Sequence, residues 1–318
     1  MNLLNQIIQA EARIRPYIRQ TPLSYSPYFS QLSGGSVHFK LENIQHTGSF
    51  KVRGALNKVL WLGSAVHDQG IVTASTGNHG AATAYALHQI GGHGRVFVPE
   101  NAAESKLDNM RQWGATIEKF GQDGVDTENH ARATAEAEGI TYISPYNDLQ
   151  VAAGQGTIAV ELGRQLSKID TILIAMGGGG LTAGIATYAK SLWPDVEIVA
   201  VSPTNAPSMM RSVAAGKIVD VPYLPTWSDG TAGGVEPGSI TFALCQQLAD
   251  RFIEVSEQEI ESALRLFMAR EHMMIEGAAA VAVAGYLQEV ARYKNKTVAV
   301  IICGGNIGLD KLKTILRN

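Results

Sequence analysis

Four consecutive glycines, Gly177 to Gly180, follow an apolar run and precede the small-residue stretch Leu181-Thr182-Ala183-Gly184. Without a Cβ on any of the four, main-chain N–H groups can approach an anion closely, and the start of a following helix adds about half a positive charge. A phosphate suits such a loop; a plain glycine turn between strand and helix is the alternative. The spacing is not G-x-G-x-x-G, Ser202 stands where a dinucleotide site would carry an acid, and no Lys-Ser/Thr pair follows. A second segment, Thr47-Gly48-Ser49-Phe50-Lys51-Val52-Arg53-Gly54-Ala55, places a lysine beside an aromatic at the start of a helical run. In water it is an ordinary surface lysine. Buried, its pKa falls and its neutral amine becomes a competent Schiff-base nucleophile. A third, Ala74-Ser75-Thr76-Gly77-Asn78-His79-Gly80, sets hydroxyls and main-chain donors at a helix start, which suits a carboxylate or serves only as an N-cap. The fourth, Ile302-Cys303-Gly304-Gly305-Asn306, closes the last apolar run and, read alone, is a buried cysteine before a turn.

These loops need rigid supports. Short apolar runs at 71–74, 95–98, 116–120, 141–143, 171–176, 196–201 and 297–303 alternate with helix-period segments at 81–90, 104–113, 125–138 and 155–166. Such alternation predicts βαβ units and parallel sheets with helices on both faces, and ligands at the carboxyl ends of the strands. Leu3, Leu4, Ile7, Ile8 and Ile14 fall on helical spacing and predict an amphipathic N-terminal helix rather than a signal peptide. With 318 residues, 45% hydrophobic and only 17% charged, the chain is a folded protein of about two domains. No Pro/Gly linker divides it, so a second domain is expected to be inserted rather than appended. A net charge of -3 leaves no basic stripe and argues against a nucleic-acid partner. No apolar run approaches the ~20 residues that cross a bilayer, so no membrane partner is expected. Cys245 and Cys303 match no metal-ligand spacing, and a reducing, cytoplasmic location is expected.

Together the four loops resemble the fold type II pyridoxal-phosphate enzymes, and among them the serine/threonine dehydratase and serine racemase group. The resemblance runs over nearly the whole chain, through Lys40-Leu41-Glu42-Asn43, Ala152-Ala153-Gly154-Gln155-Gly156-Thr157, Ser228-Asp229-Gly230 and Ile275-Glu276-Gly277-Ala278. It implies an α/β fold of the tryptophan synthase β-like type, with two open, twisted, mainly parallel sheets flanked by helices. Pyridoxal 5'-phosphate would lie in the cleft between a large domain (1–69 plus 147–318) and a small inserted α/β domain (70–146). By the same resemblance Lys51 binds the cofactor covalently and, once freed, is the base for the Cα proton. Phe50 packs beside the ring, Asn78 bonds its hydroxyl, and Gly177, Gly178, Gly179, Gly180 and Leu181 hold the phosphate. Ser75, Thr76, Gly77 and His79 surround the substrate carboxylate, and Cys303 faces the pyridine nitrogen. A thiol is a weak donor and a weak acceptor, so it would not enforce ring protonation, which favours β-elimination over transamination. The implied activity is deaminating dehydration of L-threonine and/or L-serine to a 2-oxo acid and ammonia, by a homodimeric lyase of amino-acid metabolism.

The chain departs from that group in three places. Thr76 stands where the racemase pattern has a serine acting as acid/base on the far ring face; it keeps a hydroxyl on a stiffer side chain. Ser202 and Ser208 replace the acids that bind a divalent cation in the racemase, and hydroxyls are poor ligands for a hard cation, so no metal is expected. The chain stops at Asn318, so the regulatory module of biosynthetic threonine deaminases is not expected. The stretch Asp229-Gly230-Thr231-Ala232-Gly233-Gly234-Val235-Glu236-Pro237-Gly238 either lines the substrate side of the cofactor or forms a surface turn. Other readings are a serine racemase on the same scaffold, a hydroxyectoine-utilisation dehydratase, a β-replacement synthase and, in a different class, a non-catalytic nucleotide-binding module.

Overall fold

In the computed structural model, which describes residues 2–317, ten strands form two sheets. The strands are β1 (Leu23–Tyr25), β2 (Ser36–Leu41), β3 (Ile71–Ala74), β4 (Gly94–Val98), β5 (Thr116–Lys119), β6 (Thr141–Tyr142), β7 (Thr171–Ala175), β8 (Glu197–Pro203), β9 (Arg251–Val255) and β10 (Thr297–Ile302). The larger sheet has the order β1-β2-β10-β7-β8-β9 and the smaller β5-β4-β3-β6. Every pair is parallel except β1 with β2. The alternating pattern predicts the parallel pairing, and the resemblance implies the division into two mainly parallel sheets. The strands β3 to β8 and β10 coincide with predicted runs to within a residue or two; β1, β2 and β9 do not appear among them. For β2 the reason is Lys40, which is fully buried in the interior. A charged residue at a core position hides the apolar pattern of its strand.

Parallel strands buried on both faces need helices on both faces. The helix Gly277–Gln288, with the sequence GAAAVAVAGYLQ, is buried along almost its whole length between the larger sheet and the helix Glu257–Glu271. The helix Leu149–Gln165 joins the halves of the molecule: it packs on the helices Leu3–Ile14, Lys51–Leu62 and Gly180–Leu192. Two of its glycines allow this. A Cβ at Gly154 would lie 2.4 Å from the carbonyl oxygen of Arg53, and one at Gly156 2.6 Å from Ile7. Asp148 caps this helix by accepting from the N–H groups of Gln150 (2.7 Å) and Val151 (3.0 Å).

Buried charges knit the same helices to β2. Arg53 donates to Glu42 (2.7 and 2.8 Å), Glu161 (2.9 Å) and Thr157 (3.1 Å), while Lys40 donates to Glu161 at 2.6 Å. Burial alone would push the Glu161 carboxyl up, but Arg53 and Lys40 hold it down at about 2. Among the described residues no helix is long and apolar enough to cross a membrane.

Candidate active site

Three of the four loops open at carboxyl ends of parallel strands. β3 leads through 75–77 into the helix Asn78–Ile90, β7 leads through 176–179 into the helix Gly180–Leu192, and β10 runs into Cys303. The fourth is zipped to the last of these. Phe50 donates its N–H to the Cys303 carbonyl at 2.9 Å, Gly305 donates to Gly48 at 2.9 Å, and Ser49 bridges Gly304. Lys51 and Cys303 therefore come together although 252 positions apart (303 minus 51).

Lys51 is the first residue of the helix Lys51–Leu62. Its Nζ donates to the Pro145 carbonyl at 2.9 Å and lies 5.2 Å from the centre of the Phe50 ring. Burial lowers its pKa to about 8, against the smaller upward pull of Cys303 and Glu276. A proton-free amine is thus populated near neutrality. Capture of pyridoxal phosphate by the protein stripped of cofactor is expected to rise with pH through about 8 and then level off. An ordinary lysine would continue to gain up to ~10.4, so a rate still climbing above pH 9 would contradict this assignment.

The glycine run packs hard on one side and offers main chain on the other. A Cβ at Gly177 would come 2.8 Å from Thr231, one at Gly178 2.4 Å from the Tyr146 ring, and Gly179 has φ +83°. No side chain fits there, and the first N–H groups of the helix Gly180–Leu192 have no partner within the helix. Thr182 Oγ1, at that helix start, is buried with no hydrogen-bond partner among the described residues. The donors, the helix end and the exclusion of side chains fit a phosphate group, and the neighbouring Lys51 fits an aldehyde. The residues present therefore suit pyridoxal phosphate.

The remaining predicted residues sit around this pair. Asn78 begins its helix; its Nδ2 donates to Glu276 (2.9 and 3.1 Å) and its Oδ1 accepts from Asn306 (2.7 Å). Ser75, Thr76 and Gly77 form the loop before it, with Ser75 Oγ accepting from the Gly77 N–H at 3.1 Å. His79 is buried, and its side chain turns away to donate from Nε2 to the Ile143 carbonyl at 3.1 Å. Burial, and then the charge of Lys51, push its pKa down to about 3, so the ring is neutral. What His79 leaves free at the helix start is its main-chain N–H. Cys303 is buried and its thiol is pushed well above its ordinary pKa by burial, so it stays protonated. Ser202 Oγ donates to the Met176 carbonyl at 2.9 Å, and Ser208 Oγ is buried without a partner among the described residues.

Four participants have no assigned role in the sequence reading. Glu276 is buried at the start of the helix Gly277–Gln288, where burial pushes its carboxyl up to about 7 against the donors Asn78 and Asn306. Its signal was present, as a lone acid ahead of an apolar stretch. Asn306 closes a segment already singled out, whereas Pro145 contributes only a carbonyl and Tyr146 a ring beneath Gly178. The glycine-rich stretch 229–238 belongs to this neighbourhood. Thr231 backs Gly177, and Asp229 pairs with Lys311 (2.5 Å) and Lys106 (3.8 Å).

Known proteins resemble the chain over nearly its whole length. Residues 14–304 match the family described as pyridoxal-phosphate dependent enzyme. The L-threonine ammonia-lyase of Thermotoga maritima is 35% identical over 317 residues, covering 100% of this chain and 79% of that one. Two solved structures are close in shape. The processed form of threonine deaminase isoform 2 from Solanum lycopersicum has a TM-score of 0.94 at 32% identity, covering 99% of this chain and 92% of that one. Maize serine racemase has a TM-score of 0.91 at 32% identity, covering 99% and 98%.

Proposed function

Because the chain belongs to the family of pyridoxal-phosphate dependent enzymes, we propose that it is a deaminating dehydratase of L-threonine and/or L-serine. Net, the substrate loses its β-hydroxyl and Cα proton as water, and hydrolysis of the C–N bond gives a 2-oxo acid and ammonia. The single observation that carries this reading is the Lys51 amine, lowered to about 8 and held at 2.9 Å by Pro145 beside a glycine cradle that excludes side chains.

The bound cofactor supplies an electron sink for negative charge at the substrate Cα. The chain supplies the rest. Gly177 to Leu181 would hold the phosphate on main-chain donors, Phe50 would flank the ring, and Asn78, oriented by Glu276 and Asn306, would bond the ring hydroxyl. The protonated Cys303 thiol would present a neutral, weak partner to the ring nitrogen, which would favour elimination over transamination. Ser75, Thr76, Gly77 and the His79 main chain bind the substrate carboxylate. Lys51 Nζ, proton-free in part near neutrality, would be the group that takes and holds the Cα proton. Thr76 is the candidate for a hydroxyl acting from the other face, as its position in the racemase pattern implies. We further propose that residues 70–146 act as a small domain closing over the substrate, and that the enzyme is a cytoplasmic homodimer. The two cysteines, both free and buried, suit a reducing compartment.

A panel of hydroxy-amino acids of both configurations, followed for ammonia and keto acid together, tests the assignment. Stoichiometric ammonia and 2-oxo acid from L-threonine or L-serine are expected. Rapid exchange of serine enantiomers with little keto acid would replace it with the racemase reading, which the Thr76 hydroxyl and the likeness to maize serine racemase favour as the second one.

A further inference from the structure

One carboxylate with no role assigned so far holds several supports of the site at once. Glu236 lies in the glycine-rich stretch 229–238. Its Oε1 accepts from Ser144 Oγ at 3.2 Å and its Oε2 from Asn147 Nδ2 at 2.8 Å. Its main-chain N–H donates to Tyr146 Oη at 2.8 Å. Three members of the four-residue segment 144–147 are therefore bound by a single residue. Asn147 also accepts from the Ile240 N–H at 3.0 Å, so the contact is continued beyond Glu236. The remaining member, Pro145, provides the carbonyl that holds Lys51, and Tyr146 is the floor against which Gly178 packs.

The same carboxylate reaches the smaller sheet. Arg132, on the helix Gly124–Glu138, pairs with Glu236 Oε2 at 2.8 Å and with Glu128 at 2.8 Å, while its guanidinium stacks 4.2 Å from the Tyr142 ring. Glu236 is thus the junction of three parts: the helix packed on the smaller sheet, the segment that leaves this sheet after β6, and the loop that backs the glycine run through Thr231. Charge-assisted hydrogen bonds of this kind are roughly twice as strong as neutral ones and fix direction as well as distance.

We propose that Glu236 is a positioning residue of the active site: by binding Ser144, Asn147 and Arg132 together it sets the segment 144–147, and with it both the carbonyl that holds the Lys51 amine and the floor of the phosphate cradle. The docking of the smaller sheet and the placement of amine and anion are then one coupled arrangement. The inference rests on membership of the cofactor family and not on the choice of substrate.

The test uses protein stripped of cofactor, with pyridoxal phosphate and phosphate-free pyridoxal as probes. Glu236→Ala is expected to weaken pyridoxal phosphate binding about tenfold, the scale of one lost charge-assisted hydrogen bond, and also to slow capture of pyridoxal, which senses the amine alone. Glu236→Gln keeps an acceptor for the segment but loses the charge facing Arg132, and is expected to fall between the two proteins. Glu254→Ala breaks a comparable pair with Arg211 (2.7 Å) away from the site and is expected to change neither probe. A thermal melt of each stripped protein separates a general loss of stability from a change in the site. Binding and capture within twofold of the parent in Glu236→Ala would overturn the proposal. If that variant does not fold, Glu236→Gln indistinguishable from the parent overturns it, and Glu236→Gln weakened in both probes supports it. No turnover enters these measurements, so the dehydratase reading can fail while this one stands.

Discussion

Lys51→Ala protein, reconstituted with pyridoxal phosphate and passed through gel filtration, is expected to emerge without covalently bound cofactor and without measurable elimination. Borohydride reduction followed by intact-mass measurement should add one cofactor to the parent protein at Lys51 and nothing to the variant. Removal of a nucleophile that also serves as base costs on the order of 10⁴-fold or more. The two lysines with the least accessible side chains, Lys40 and Lys58, do not offer a substitute. Lys40 is fully buried, but its Nζ is consumed by Glu161 (2.6 Å), Gln165 (3.0 Å) and the Thr21 carbonyl (2.7 Å). Lys58 is paired with Asp148 at 2.7 Å. Lys51 alone among these three meets no carboxylate within salt-bridge distance; its recorded partner is the neutral Pro145 carbonyl. An adduct and turnover retained in Lys51→Ala would remove the mechanism.

Glu161→Ala is the second large effect, and it acts on stability first. In the native protein Glu161 carries Arg53, Lys40 and Arg15 at 2.9, 2.6 and 2.8 Å. Its side chain and those of Arg53 and Lys40 are fully buried. Removing the carboxylate leaves two buried cations, with Glu42 as the one remaining acid on Arg53 at 2.7 Å. Breaking a buried pair from one side costs about 3–5 kcal/mol, because the abandoned charge cannot be hydrated. Chemical denaturation of the stripped protein should show that loss, and a change under 1 kcal/mol would refute the reading. The sign with pH follows from the same pair. Glu161 is held at about 2, below its ordinary value, so its contribution is present above the ordinary carboxylate range and is lost as pH falls toward 2. The consequence reaches the site because Arg53 stands two residues beyond Lys51 on the same helix.

The division between what was legible and what was not follows the range of the interactions. The glycine run, the lysine beside Phe50 and the hydroxyl-rich start of the helix Asn78–Ile90 are local. A left-handed φ, a helix N-terminus or a strand–loop–helix turn depends on residues a few positions apart, and the sequence carries those positions side by side. The same holds for the alternating runs that become β3 to β8 and β10. The placement of His79 shows the limit of this. A histidine in a polar loop is written in the sequence, yet its turn toward the Ile143 carbonyl depends on where β6 ends. β2 escaped for a related reason, since Lys40 looks like a surface residue until Glu161, 121 positions on, is brought to 2.6 Å. Glu276 against Asn78 and Asn306, and Glu236 against Ser144, Asn147 and Arg132, are likewise pairings of distant segments. The sequence by itself determined which backbone could cradle an anion and which amine could be activated, because both are properties of a short stretch of chain. Only the tertiary structure decided which carboxylates hold them in place, because a charge finds its partner through the packing of sheets and helices, and spacing along the chain contains no record of that distance.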